Sequence, residues 1–138
     1  MSLRGGLNQK ETVLLPMMEG ELFPIELKEL FNGEIELDLS FKKVTVLYTF
    51  GKCTAKKIII LGLGDGLDNL REAFEKVSRE YKENLYVVVN EKIAYVAALG
   101  LEVGRYTYKK DLDVTFTYSD CEDLVYKGMV VGHAVNQA

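Results

Sequence analysis

The run Lys57-Ile58-Ile59-Ile60-Leu61 constrains the fold most. An unbroken apolar tetrad of β-branched and aliphatic residues, bounded by a basic residue and glycines, fits a strand covered on both faces. Such a strand needs a helix layer above and below it, which points to an α/β domain. The glycines at 62, 64 and 66 follow, and then Leu67, Leu70, Phe74, Val77 and Tyr81 recur at three- and four-residue steps. That is an amphipathic helix, with Asp65 or Asp68 as its expected cap. Leu85 to Val89 reads as a second buried strand and Ile93 to Val103 as a second helix, so strand and helix alternate.

The flanking segments extend the pattern. Thr12 to Leu15 suits a strand closed by Pro16, and Pro24 opens a helix through Phe31 that Gly33 should end. Ile35, Leu37, Leu39 and Phe41 alternate with polar residues and predict a half-buried strand. Val44 to Phe50 continues in strand composition, and 58–61 should hold the sheet centre. Val114 to Tyr118 is a last strand, and a helical pattern begins near Glu122. Its apolar periodicity reaches Ala138 without a stop signal, which reads as a helix cut short. The expected organisation is a lead-in over 1–11 that is disordered or tag-derived, an α/β domain over 12–128, and the start of a linker helix over 129–138.

Composition supports one domain and excludes several classes. With 138 residues and 48% hydrophobic content the chain can bury a core without staples. No apolar run approaches the ~20 residues of a membrane span. With no leader pattern, a cytoplasmic location is expected. The net charge of −4 gives nucleic acid little to hold. Cys53 and Cys121 are far apart with no C-x-x-C, so two reduced thiols are expected.

The motifs that could carry chemistry are each better explained by packing. Gly62-Leu63-Gly64-Asp65-Gly66-Leu67 sits between a strand and a helix, where a dinucleotide phosphate could dock. Leu67 replaces the third glycine of the fingerprint and Asp65 brings a carboxylate, so a tight turn is the better reading. Gly100 and Gly104, with Ala97 a turn before, should let that helix approach the sheet closely. Tyr106 and Tyr108 beside Arg105, Lys109 and Lys110 could stack bases, yet one half-exposed strand explains them equally well. His133 is the only histidine and has no H-E-x-x-H or G-x-S-x-G context. Glu34, Glu36 and Asp38 fall on the polar side of a strand. No catalytic, cofactor-binding or metal-ligating residue is assigned.

Three stretches, in order, resemble the N-terminal domain of the M17 leucyl aminopeptidases, the cytosol aminopeptidases. They are Lys57-Ile58-Ile59-Ile60-Leu61-Gly62-Leu63-Gly64, then Ala97-Ala98-Leu99-Gly100 leading to Gly104-Arg105-Tyr106-Thr107-Tyr108-Lys109-Lys110, and finally Gly132-His133-Ala134-Val135-Asn136-Gln137-Ala138. The resemblance implies a macro-domain-like mixed sheet flanked by helices. It also implies a non-catalytic assembly or regulatory role in a hexameric exopeptidase that removes N-terminal residues. That enzyme's two divalent metals, zinc or manganese, lie in a C-terminal catalytic domain, and no position here matches their ligands. The partners implied are that domain and neighbouring subunits, with no membrane. The alternative reading is a binding module for ADP-ribose or a related nucleotide.

Overall fold

The computed structural model describes residues 3–107, 110–111 and 113–137. Its elements run α1 (Arg4–Leu7), β1 (Thr12–Met17), α2 (Ile25–Phe31), β2 (Val44–Tyr48), β3 (Lys57–Gly62), α3 (Leu70–Glu80), β4 (Leu85–Val87), α4 (Ala94–Gly104), β5 (Tyr106–Thr107), β6 (Lys110–Asp111), β7 (Phe116–Tyr118) and α5 (Glu122–Gln137). Five strands form one mixed sheet in the order β2-β3-β1-β4-β7, and β5 pairs with β6 in a separate ribbon. β1, β3, β4 and β7 run parallel to one another, while β2 is antiparallel to β3. The domain is α/β, with helices on both faces.

Alternation along the buried strands sends side chains into two cores. Ile59 and Leu61 of β3, with Leu14 of β1, join Leu70, Phe74 and Val77 of α3 and Ala94, Ala97 and Leu101 of α4 on one face. Ile58, Ile60, Val13, Leu15 and Met17 meet Leu27 of α2, Leu3 and Ala55 on the other. Each large apolar side chain buried in this way contributes about 1.5–3 kcal/mol by leaving water. Within the lead-in over 1–11, expected to be disordered or tag-derived, Leu3 is buried and α1 forms a helical turn.

Several local expectations are corrected. β1, not β3, occupies the sheet centre. Residues 35–41 form no strand, because their backbone crosses over the end of β3 instead of pairing along it. Gly64 N–H donates to Leu39 O at 3.0 Å, and a β carbon on Gly62 would stand 2.7 Å from the Leu39 carbonyl carbon. α2 ends with Asn32 in the left-handed conformation, and Gly33 N–H then closes onto Lys28 O at 2.9 Å. α3 starts later than its periodicity suggests. Leu67 is exposed, Asn69 takes the N-cap position in left-handed geometry, and neither Asp65 nor Asp68 caps it.

The helices on the α3 side form their own stack, with α4 between α3 and α5. Gly100 faces Arg71 and Phe74, and Gly104 faces Glu75 and Ser78, so these glycines meet α3 and not the sheet. A second stripe on α5, Gly128 and Gly132, lies against Tyr95, Ala98, Leu99 and Glu102 of α4. α4 is therefore enclosed by two helices and the sheet, which explains why it is apolar almost all round.

Candidate functional site

In a sheet of this kind the ligand-binding position is the crevice outside the carboxyl ends of the parallel strands, where the connections diverge to opposite faces. Here α2 packs on one face, while α3 and α4 pack on the other. The loops after β1, β3 and β4 meet at that edge. They enclose a cavity of about 370 Å³ lined by Pro16, Met18, Glu21, Leu63, Asn90, Glu91, Lys92 and Ile93. Its floor is apolar and its rim is polar. Two further depressions adjoin it through Glu91, and they extend across Ser119, Asp120 and Cys121 towards the start of α5.

Each side chain at this edge is placed by a short loop that the strands dictate. Asn90 Oδ1 accepts the Lys92 N–H at 2.9 Å and Asn90 O accepts the Ala94 N–H at 2.9 Å, so Asn90 both closes the turn after β4 and starts α4. Ser119 performs the matching task after β7. Its hydroxyl accepts the Val89 N–H at 2.9 Å and fixes the two strand ends side by side. Asp120 Oδ1 accepts the Cys121 N–H at 2.8 Å, and Cys121 O receives the Val125 N–H that opens α5. Cys121 itself is held at φ +62°, an uncommon conformation for a residue other than glycine, asparagine or aspartate. Burial pushes its thiol above the ordinary range, and the charges of Asp120 and Glu91 push it the same way. A thiol held neutral is a poor nucleophile.

The first three amides of the glycine turn at 62–66 are engaged within the fold. Gly62 N–H donates to Lys43 O at 2.7 Å, Leu63 N–H to Met17 O at 2.9 Å and Gly64 N–H to Leu39 O. The Gly62 and Gly64 amides hold residues 39–43 across the end of β3, and the Leu63 amide ties β3 to β1. They cannot also cradle a phosphate. These bonds tie the turn to β1 and to residues 39–43.

The remaining sequence candidates are dispersed. Cys53 Sγ donates to Ala55 O at 3.2 Å on the α2 side, and both cysteines are free thiols. His133 is exposed on α5. Glu34, Glu36 and Asp38 are exposed, and Asp38 is held below the usual carboxylate range by the hydroxyl and N–H of Ser40. Tyr108 and Lys109 lie outside the described residues, as do the side chains of Tyr106 and Lys110. Arg105 is engaged inside the domain. Its guanidinium reaches the buried Glu102 at 3.3 Å, donates to Val114 O at 2.8 Å and stacks over Phe116. Among the described residues no three His, Cys, Asp or Glu side chains converge as a metal site, and no helix is long and apolar enough to cross a membrane.

The edge crevice was not singled out from sequence, although its signal is there. Each parallel strand of the sheet is followed by a carboxylate-bearing turn: Glu19 and Glu21 after β1, Asp65 after β3, Glu91 after β4 and Asp120 after β7. Only the sheet order brings the turns after β1, β4 and β7 together.

No protein-family model matches the chain, and no curated protein does. Among solved structures it resembles the bottromycin maturation enzyme BotP. The likeness has a TM-score of 0.65 at 14% identity, covering 93% of this chain and 31% of that one. BotP in complex with Mn gives a TM-score of 0.64, again at 14% identity, with 93% and 30% covered. At this identity the likeness concerns the fold. The chain spans about a third of the length of the enzyme it resembles.

Proposed function

We propose that this domain is the non-catalytic N-terminal assembly domain of a leucyl-aminopeptidase-type exopeptidase, whose two-metal chemistry resides in a separate catalytic domain. One observation carries the reading. α5 docks on α4 through Val125, Gly128 and Gly132 and turns Tyr126, Met129, Val130, Val131 and Val135 outward, with Tyr126 68% and Val130 50% exposed. Tyr126, Met129 and Val130 share one side of the outermost helix, an exposed apolar surface suited to being covered. Within the proposal its cover is the protein's own catalytic domain or a neighbouring subunit. The ordered motifs at 57–64, 97–110 and 132–138 favour the same family, and the fold recurs as one part of a longer enzyme chain.

The division of labour follows from where this chain spends its polar groups. The turn amides close the fold, the buried Glu102–Arg105 pair ties α4 to β7, and the Cys121 thiol is held neutral. In this reading the domain contributes a rigid platform, and metal-activated water in the catalytic domain attacks the peptide carbonyl. The nucleotide-binding alternative meets a crevice rimmed by carboxylates, which repel a pyrophosphate. The test is direct: the purified 138-residue domain, given leucine p-nitroanilide with manganese or zinc, should show no turnover above the blank. Turnover that is lost on chelation would overturn the assignment.

A further inference from the structure

We propose that the crevice at the carboxyl edge of the sheet is a docking groove for an extended basic peptide segment of a partner protein, with one lysine or arginine side chain seated in the cavity between β1 and β4. This goes beyond the assembly reading: the cavity is built by the turns after β1, β3 and β4, and only the far end of the trough, at Asp120, Glu122 and Asp123, reaches the first turn of α5 beside Tyr126 and Met129.

The groove itself selects the occupant. Pro16, Met18, Leu63 and Ile93 give it an apolar floor, while Glu21 and Glu91 stand at its rim. A long cationic side chain has the same two-part character, an aliphatic stem ending in a charge that seeks carboxylates. The cavity of about 370 Å³ holds one such side chain with part of its backbone. Beyond Glu91 the trough continues past Asp120, Glu122 and Asp123, and Lys92 is the one cation among its lining residues. Neither Glu21 nor Glu91 takes part in an ion pair among the described residues. Their charge is available to a partner.

Other occupants fit less well. The carboxylates are strung along the trough and do not converge on a point, which suits an extended polycation and not a metal ion. Anionic ligands and anionic membrane surfaces are repelled by the same field. A wholly apolar peptide would strip water from the rim carboxylates without replacing it.

The test is fluorescence anisotropy with a labelled peptide of alternating lysine, leucine and glycine, beside its glutamate-for-lysine counterpart. The lysine peptide should bind saturably and weaken as salt rises, because the rim is solvent-exposed. Glu91→Lys or Glu21→Lys should weaken binding by roughly tenfold or more, as expected when an attractive pair becomes a repulsive one. Glu80→Lys, an equal change of net charge at the far end of α3, should leave it within about twofold. All three positions are exposed, and an unchanged thermal midpoint checks that each variant folds; Glu91→Gln, which keeps the side chain's size, repeats the test without reversing the charge. The proposal is overturned by an absence of saturable binding at about 1 mM peptide, by equal loss with Glu80→Lys, or by equal binding of the glutamate peptide. Displacement of the lysine peptide by ADP-ribose would also overturn it, in favour of a nucleotide site.

Discussion

Gly128 of α5 lies so close to Ala98 of α4 that a β carbon placed on it would stand 2.9 Å from the alanine methyl and crowd the Tyr95 carbonyl as well. The outermost helix is thus held by backbone-to-backbone proximity along Gly128 and Gly132 beside the buried Val125, and Tyr126, Met129 and Val130 are left exposed. Gly128→Ala should force the two helices apart and destabilise the domain by about 1–3 kcal/mol. In thermal unfolding that is a loss of roughly 3–5 °C per kcal/mol for a domain of this size. Gly66→Ala is the control, since Gly66 has open space where a β carbon would go and no positive φ. It should stay within about 0.5 kcal/mol of the parent.

The phenol of Tyr118 is held far above its ordinary range, first by burial and then by the charge of Glu102, against which Arg105 acts only in part. Tyr81 is raised in the same direction by burial and by Glu80. Because the folded protein disfavours phenolate, it retains these protons at pH values where the unfolded chain has lost them. The stabilisation is fully present below the unfolded phenol pKa of about 10 and is lost as pH rises through the folded values. Denaturant titrations should therefore show stability falling above about pH 10. Tyr118→Phe should flatten that decline, and an unchanged slope in the variant would contradict the assignment.

The fold was legible in sequence where the physical signal was local. The apolar runs at 58–61 and 85–89 and the helical spacing through Phe74 and Val77 mark elements that each bury one face by a simple period. What escaped depended on partners distant in sequence. Residues 35–41 alternate like a strand, yet the crossing over Gly62 decides their path, and nothing in the alternation reveals Gly62. Gly100 and Gly104 declare a close approach without naming the neighbour, and α3 occupies the place expected of the sheet. The acidic edge crevice is the sharpest case, because Glu21, Glu91 and Asp120 are 70 and 29 positions apart and meet only through the strand order β1-β4-β7.

Cys121 reports on the electrostatics of that edge. Its thiol is raised by burial and by Asp120 and Glu91, so at neutral pH it should react with iodoacetamide more slowly than a free thiol. Asp120→Asn removes one of the repelling charges and should speed alkylation, by about two- to threefold for a partly solvent-screened charge. A rate that is insensitive to Asp120→Asn and to salt would show that burial alone sets the thiol.

The outward stripe of α5 gives the assembly reading a structural handle. Val130 is half exposed, so Val130→Lys should change the stability of the isolated domain by no more than about 0.5 kcal/mol. In the longer protein the proposal envisages, the same substitution buries an unpaired charge at the docking surface and should shift the assembled species towards smaller ones in sedimentation velocity. Assembly that is unaffected by Val130→Lys and by Tyr126→Lys would show that the stripe is not the contact.

Isolation of the native protein from its own cells with antibodies raised against this domain, followed by assay on leucine p-nitroanilide, tests the central claim most directly. The account predicts a polypeptide longer than 138 residues whose hydrolysis of the substrate depends on a divalent metal, while the domain alone gives none. A native product of 15.6 kDa, or a longer one with no metal-dependent aminopeptidase activity, would contradict it.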